Sequence, residues 1–239
     1  MEEKGIGALT SIYRDGGYHL LHPDWHEADS LWKTNHIFDF IGNTHPFPQT
    51  ICEIGCGAGE ILALLQHRLN DSTYFVGLEI SPQAFNIASA KANARLEFRH
   101  GGLELIHDQV FDIVLMIDVF EHVEDYISFL KEVRTHGTRF IFHIPLDLSV
   151  QSVLRAKPLQ RKRKNLGHLH YFTKETALAT LSHCGFNTLK WKYTASYVDL
   201  QQKSKSARLL RIPRKLLFNM YKDLTARIIG GFSLLVLAE

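Results

Sequence analysis

The stretch Ile51-Cys52-Glu53-Ile54-Gly55-Cys56-Gly57-Ala58-Gly59-Glu60 decides how the chain is read. An apolar run of strand length enters a turn with three alternating glycines. Ile61, Leu62, Leu64 and Leu65 then supply the apolar side of a helix over Glu60 to Arg68. Glycine is needed where φ is positive or where a ligand must approach the backbone with no Cβ in the way, and the helix start behind it offers free N–H groups. The stretch is therefore a ligand-binding turn. A dinucleotide fingerprint requires G-x-G-x-x-G, and its third glycine would fall at Glu60. Glu53 also directs a carboxylate toward the space a pyrophosphate would fill, so a cationic ligand suits the turn better.

Outward from the turn, Tyr74 to Glu79 reads as a second strand closed by an acid, a placement suited to accepting from a ribose hydroxyl pair. Phe111 to Ile117 reads as another apolar strand, ending in Asp118 and running into Val119-Phe120-Glu121-His122-Val123. With these motifs, and with G-L-E-I-S-P over 77–82 and G-H-L-H-Y-F-T-K-E-T over 167–176, the chain resembles the class I S-adenosylmethionine-dependent methyltransferases. The likeness is to their small-molecule, type 11/12-like members, and it covers about Pro23 to the last strand.

The resemblance implies an α/β, Rossmann-like, seven-stranded and mostly parallel sheet with an antiparallel last strand and helices on both faces. It implies S-adenosyl-L-methionine as cofactor and methyl transfer to an oxygen or nitrogen of a small-molecule acceptor, such as a sugar, glycan or lipid precursor. Glu53 is then expected at the methionyl amino group, and Gly55, Cys56, Gly57 and Gly59 along the methionyl and ribose parts. Glu79 is expected on the ribose hydroxyls with Ile80 beside it, and Asp118, Val119 and His122 near the methionyl end. Relatives usually place an acid after the glycine at 101 to hold the adenine amino group. This chain has Gly102, which leaves backbone groups near Leu103 or another side chain for that task.

A sulfonium is already a strong electrophile, so the protein's task is alignment and exclusion of water, with a base optional. His122, His143, His168 and His170 are the candidate bases, and His122, His168 and His170 are carried as candidate catalytic residues. His168 and His170 are expected to point the same way if their stretch is extended. Among fourteen histidines a structural role for His168 and His170 is favoured over a catalytic one, and His122 reads mainly as site architecture. No metal site is expected.

With 239 residues, 45% of them hydrophobic, the chain suits one α/β domain with decorations. The decorations are a leader and lid helix over 1–44, with Trp25 and Trp32 on one helical face, a basic loop over 146–170, and a basic helical insertion over 195–230 broken by Pro213. A helix from Thr173 is expected with a capping box only partly satisfied, because Thr176 stands where Glu or Gln is usual.

Net charge is +2, but residues 151–170 carry six Lys/Arg and no acid, and residues 201–227 carry eight against Asp223 alone. These runs fit a solvated surface, an anionic acceptor, or peripheral membrane contact through 201–227. A nucleic-acid methyltransferase is the alternative reading. Against it, 117–120 reads I-D-V-F rather than the N/D-P-P-Y/F of exocyclic amino methylases, and no cysteine stands there to attack a pyrimidine. A non-catalytic cofactor-binding regulator is a further alternative. Three cysteines without paired spacing, no apolar leader and no apolar run of spanning length point to a reduced, cytoplasmic setting.

Overall fold

The computed structural model describes residues 27–42, 44, 46–200 and 205–239. Residues 1–26, with Trp25 and the expected leader, lie outside the described residues. The described chain folds as helix α1 (Glu27–Ile41), strand β1 (Thr50–Ile54), α2 (Glu60–Gln66), β2 (Tyr74–Glu79), α3 (Pro82–Ser89), β3 (Leu96–His100), β4 (Phe111–Ile117), α4 (Tyr126–Val133) and β5 (Gly137–Leu146). There follow α5 (Val150–Arg155), α6 (Lys157–Leu166), α7 (Lys174–His183), β6 (Thr188–Thr194), α8 (Ser196–Asp199), α9 (Lys205–Met220), α10 (Lys222–Ile229) and β7 (Phe232–Ala238).

The seven strands form one sheet in the order β3-β2-β1-β4-β5-β7-β6. The pairings from β3 to β5 are parallel, and β7 runs antiparallel to both β5 and β6. Strands covered on both faces read as continuous apolar runs rather than alternating ones, and β4 and β7 do so. Ile51, Ile113, Leu115 and Ile141 face Ile37 and Phe40 of α1 and Leu62 and Leu65 of α2. Their neighbours Cys52, Val114, Met116, Phe140 and Phe142 face Leu130 and Val133 of α4 and Ala177 and Leu181 of α7. The period of two along each strand thus sorts the side chains into two cores, one under each helical layer.

Three local expectations are corrected. The basic stretch after β5 is two short helices, α5 and α6, rather than a loop. The helix α9 runs through Pro213 and ends instead at Tyr221, whose extended φ of −142° separates it from α10. Proline removes one N–H and bends a helix without having to end it. The capping box of α7 is complete, because the Thr176 hydroxyl accepts from the Thr173 N–H at 2.9 Å as a Glu or Gln would.

Candidate active site

A cavity of about 800 Å³ opens at the carboxyl ends of β1, β2, β4 and β5, the edge where open α/β sheets bind ligands. The glycine turn forms its floor. Gly55 and Cys56 both donate their backbone N–H to the Leu78 carbonyl, at 2.9 and 3.0 Å, which ties the turn to β2. At Gly57, where φ is 56°, a Cβ would meet no protein atom within 4 Å, so the space beside it is left for a ligand. Gly59 does not line the cavity. Its φ is 76°, and a Cβ there would stand 2.5 Å from the Phe98 ring, so glycine is required at 59 for packing behind the turn.

Glu53 points into this cavity at 1% exposure, and its Oε2 has no hydrogen-bond partner. Burial, against the pull of Lys33 and with the repulsion of Glu79, raises its carboxyl to about 8. An unpartnered buried carboxylate is costly unless a cationic donor meets it, and the methionyl ammonium of S-adenosylmethionine is such a donor. Glu79 also lines the cavity. It accepts from the Gly57 N–H at 2.8 Å and the Ser81 N–H at 2.7 Å, with the Ile80 N–H as a further backbone donor, and the carboxylate keeps acceptor capacity toward the cavity. Burial raises its carboxyl and the backbone donors oppose that rise. Ile80 and Leu103 lie along the same wall, together with Glu104, whose carboxylate folds back onto the Gly102 N–H at 2.7 Å. Glu104 is an acid two positions beyond the one at which relatives usually carry it.

Asp118 and Val119 line the opposite wall. Asp118 has a positive φ of 56°, sparsely populated by residues other than glycine, and its carboxylate is clamped. Oδ1 lies 2.7 Å from His143 Nδ1, and Oδ2 lies 2.7 Å from the Lys33 ammonium. Burial opposes ionisation, but His143 and Lys33 outweigh it and hold Asp118 well below the usual carboxylate range. His143 Nε2 meets the Thr194 hydroxyl at 2.8 Å, so both ring nitrogens are engaged. Helix α1 has two parts. Its first turns bring Trp32 and Lys33 to the cavity, while Ile37, Phe40 and Ile41 anchor it in the core. Trp32 Nε1 donates to Asp199 at 3.2 Å, which ties α1 to α8.

The far end of the cavity is built from two segments distant in sequence. The Glu121 carbonyl accepts from the Leu169 and His170 N–H groups, at 2.8 and 3.1 Å. This brings His122 and His168 together with ring centroids 4.8 Å apart, both buried and both lining the cavity. Burial, and then His168, push the His122 imidazolium down to about 3, so His122 is neutral near pH 7. His168 Nδ1 lies 2.6 Å from Asp147 Oδ2, and Lys162 pairs with Oδ1 at 2.6 Å. Burial opposes ionisation of Asp147, but His168 and Lys162 hold it below the usual range.

His170 is corrected. It does not line the cavity, and its Nε2 meets the Val123 carbonyl at 2.9 Å while its ring lies against Tyr126. Because the amides of both Leu169 and His170 turn to one carbonyl, the stretch is not a ladder strand, and the argument from alternation fails. Lys162, from the first basic run, forms part of the cavity wall. Sequence reasoning also missed Lys33, Glu121 and Asp147. Glu121 stood within a quoted motif, whereas Lys33 and Asp147 carried no local signal.

The profile of a methyltransferase domain family matches residues 25–190. The chain belongs to that family. Its fold is the class I methyltransferase fold, and its cofactor is S-adenosylmethionine. Solved structures similar in fold include mycolic acid cyclopropane synthase CmaA1 complexed with S-adenosylhomocysteine (18% identity, TM-score 0.67, all of both chains covered). Magnesium protoporphyrin IX methyltransferase from Synechocystis PCC 6803, with bound S-adenosylhomocysteine, is similar at 14% identity and TM-score 0.63 over 95% of each chain. The cyclopropane synthase MmaA2 from Mycobacterium tuberculosis is similar at 15% identity and TM-score 0.61 over 87% of this chain and 84% of that one. No curated protein matches the chain in sequence.

Proposed function

We propose that this methyltransferase transfers the methyl group to an oxygen or nitrogen of a small-molecule acceptor held at the His122–His168 end of the cavity. The observation that carries the reading is the division of one cavity into two chemically different ends. The carboxylates of Glu53 and Glu79 and the open space at Gly57 mark the cofactor end, and two buried imidazoles mark the other. Its volume, about 800 Å³, lies high in the range of roughly 300–1,000 Å³ common for small-molecule sites, which suits two ligands side by side.

S-adenosylmethionine brings the activated methyl group. In this reading Glu53 holds the cofactor's ammonium, Glu79 its ribose hydroxyls, and Glu104 with the backbone near Leu103 its adenine. Asp118, fixed by His143 and Lys33, positions the methionyl end, and α1 excludes water from above. His122 and His168 contact the acceptor atom. The solved relatives include an enzyme named for a mycolic acid and one named for a protoporphyrin, so the fold accommodates acceptors of varied size.

Incubation with methyl-labelled cofactor and a nuclease- and protease-treated metabolite extract should place label in the small-molecule fraction. Label confined to RNA in an untreated extract would overturn the acceptor class. The absence of S-adenosylhomocysteine binding would overturn the placement of the cofactor.

We further propose that α9 and α10 rest on an anionic lipid surface, which suits an acceptor that is a lipid precursor. Ile212, Leu216 and Met220 form one exposed stripe on α9, and Leu224 and Ile228 another on α10. Ile212 is 70% and Met220 67% exposed. Leu154 of α5, which packs against α10, is 80% exposed. Lys215 and Lys222 lie among these apolar groups, the pattern of an interfacial helix rather than of a phosphate-tracking one. Among the described residues no helix is long and apolar enough to cross a membrane. The chain should sediment with phosphatidylglycerol vesicles, and the pair Leu216→Glu and Leu224→Glu should abolish this. Equal sedimentation of wild type and variant would refute the assignment of the surface.

A further inference from the structure

Glu121 is the one group of the acceptor end for which the methyl-transfer reading has no use. It is 0% exposed, and neither carboxylate oxygen has a hydrogen-bond partner. Its nearest basic group is the neutral imidazole of His122, whose Nε2 lies 3.9 Å from Oε1, while the Lys162 ammonium acts on it without a hydrogen bond. Burial, and then the repulsion of Asp118, push this carboxyl well above the usual range, so in the empty cavity it keeps its proton and makes no hydrogen bond, and a cation that displaced that proton would meet both oxygens.

We propose that Glu121, His122 and His168 hold one divalent first-row transition ion at the wall of the cavity. One atom from each of these residues lies within 4.8 Å of the others. Around a tetrahedral ion with bonds of about 2.1 Å the same atoms would stand roughly 3.4 Å apart, so binding would draw the three side chains together. The outer hydrogen bonds have the form such a site requires. His168 turns Nδ1 to the Asp147 carboxylate at 2.6 Å, which places its proton on that nitrogen and directs the Nε2 lone pair elsewhere. Lys162 caps the other oxygen of Asp147, so that acid is held in place and does not compete as a ligand. His122 has its own backbone partner at Gly167. Glu121 is fixed through its carbonyl, which binds the two amides that follow His168, so the backbone segments that carry the three ligands are tied together.

Two imidazoles and one carboxylate select zinc, iron(II), manganese(II) or cobalt(II) over the oxygen-seeking calcium and magnesium. Three protein ligands leave a coordination position open. Because His122 and His168 line the cavity, that position faces the acceptor. The inference rests on the proposed acceptor site and deepens it, naming an acceptor that offers an oxygen or nitrogen lone pair to an ion.

The test is titration of the untagged, chelator-treated full chain with cobalt(II), read by visible absorbance, with competition by zinc. One equivalent should bind and give the intense visible bands of a low-symmetry site, and zinc should displace it. His168→Gln should weaken binding at least tenfold, and Asp147→Asn by about 10–100-fold through loss of the outer hydrogen bond. Glu121→Gln serves as a second ligand variant, and the circular dichroism of each variant is compared with wild type. No binding by the folded wild type, or equal affinity in folded His168→Gln and Glu121→Gln, would overturn the proposal, since the ion would then sit on other histidines. S-adenosylhomocysteine is titrated separately into the metal-free chain. Its binding without any cobalt site removes the metal and leaves the cofactor reading, whereas a cobalt site without its binding does the reverse.

Discussion

Cofactor affinity should depend on pH through Glu53. In the empty cavity burial raises this carboxyl to about 8, and the proposed ammonium contact needs it ionised. At pH 6 only about one molecule in a hundred carries the charge, so ionising it on binding costs about 2.7 kcal/mol. At pH 8 half of the molecules already carry it. If the complex stays ionised throughout, the Kd for S-adenosylhomocysteine should fall about 50-fold between pH 6 and pH 8, and about 0.9 proton should leave per ligand bound at pH 7. Isothermal titration at pH 6, 7 and 8, in two buffers of different ionisation enthalpy, measures both quantities. Glu53→Gln should bind weakly and lose the pH dependence. The stability of the ligand-free protein runs in the opposite sense. For an acid whose folded value is raised, the stabilisation is complete below the unfolded value of 4.5, falls as pH rises toward 8, and is flat above it. The full loss is on the order of 5 kcal/mol as an upper bound. The thermal shift produced by the ligand should therefore grow from pH 6 to pH 8. A Kd unchanged within threefold over that range, with no proton released, would refute the placement of the ammonium at Glu53.

Glu79→Gln should weaken S-adenosylhomocysteine binding by about 10–100-fold, on the scale of one charge-assisted hydrogen bond. An amide also cannot accept at both oxygen positions from Gly57 and Ser81; unchanged affinity would remove the ribose from this wall. Lys33→Met unclamps Asp118 from α1 but leaves it paired with His143. A loss of about 2 kcal/mol is expected, read as a fall in melting temperature of about 4–8 °C, and no fall would mean that the ion pair does not anchor the helix. Gly59→Ala combines a φ of 76° with a Cβ 2.5 Å from the Phe98 ring. It should destabilise by about 1–3 kcal/mol, with Phe98→Leu restoring part of the loss, and a single variant that melts like wild type would show that the turn yields.

The parts legible in the sequence share one property, which is that their geometry is set within a few residues. Glu53 lies in a strand that runs directly into its glycine turn, and Glu79 ends the next strand, so local chain direction alone carries both to the cavity edge. Strands covered on both faces announce themselves as unbroken apolar runs, which is why β4 and β7 were readable end to end. The acceptor end lacks that property. His168 there meets Asp147 across 21 positions, and the clamp on Asp118 is as remote, with Lys33 85 positions from Asp118 and His143 51 from Thr194. Lys162, within a run of four basic residues, reads the same whether it faces solvent or a buried acid, because only a partner distant in sequence distinguishes the two. His168 and His170 could not be told apart by alternation either, since alternation holds only in a ladder and both amides that follow His168 are taken by Glu121. The contrast has a mechanistic consequence. The cofactor end is fixed by strand termini that the sheet itself holds, whereas the acceptor end is fixed by hydrogen bonds between the turn after β4 and the segment after α6. Changes along α6 or at 167–170 should therefore re-aim His168, and with it the choice of acceptor in the proposed reading, while the proposed cofactor seat at Glu53 and Glu79 stays in place.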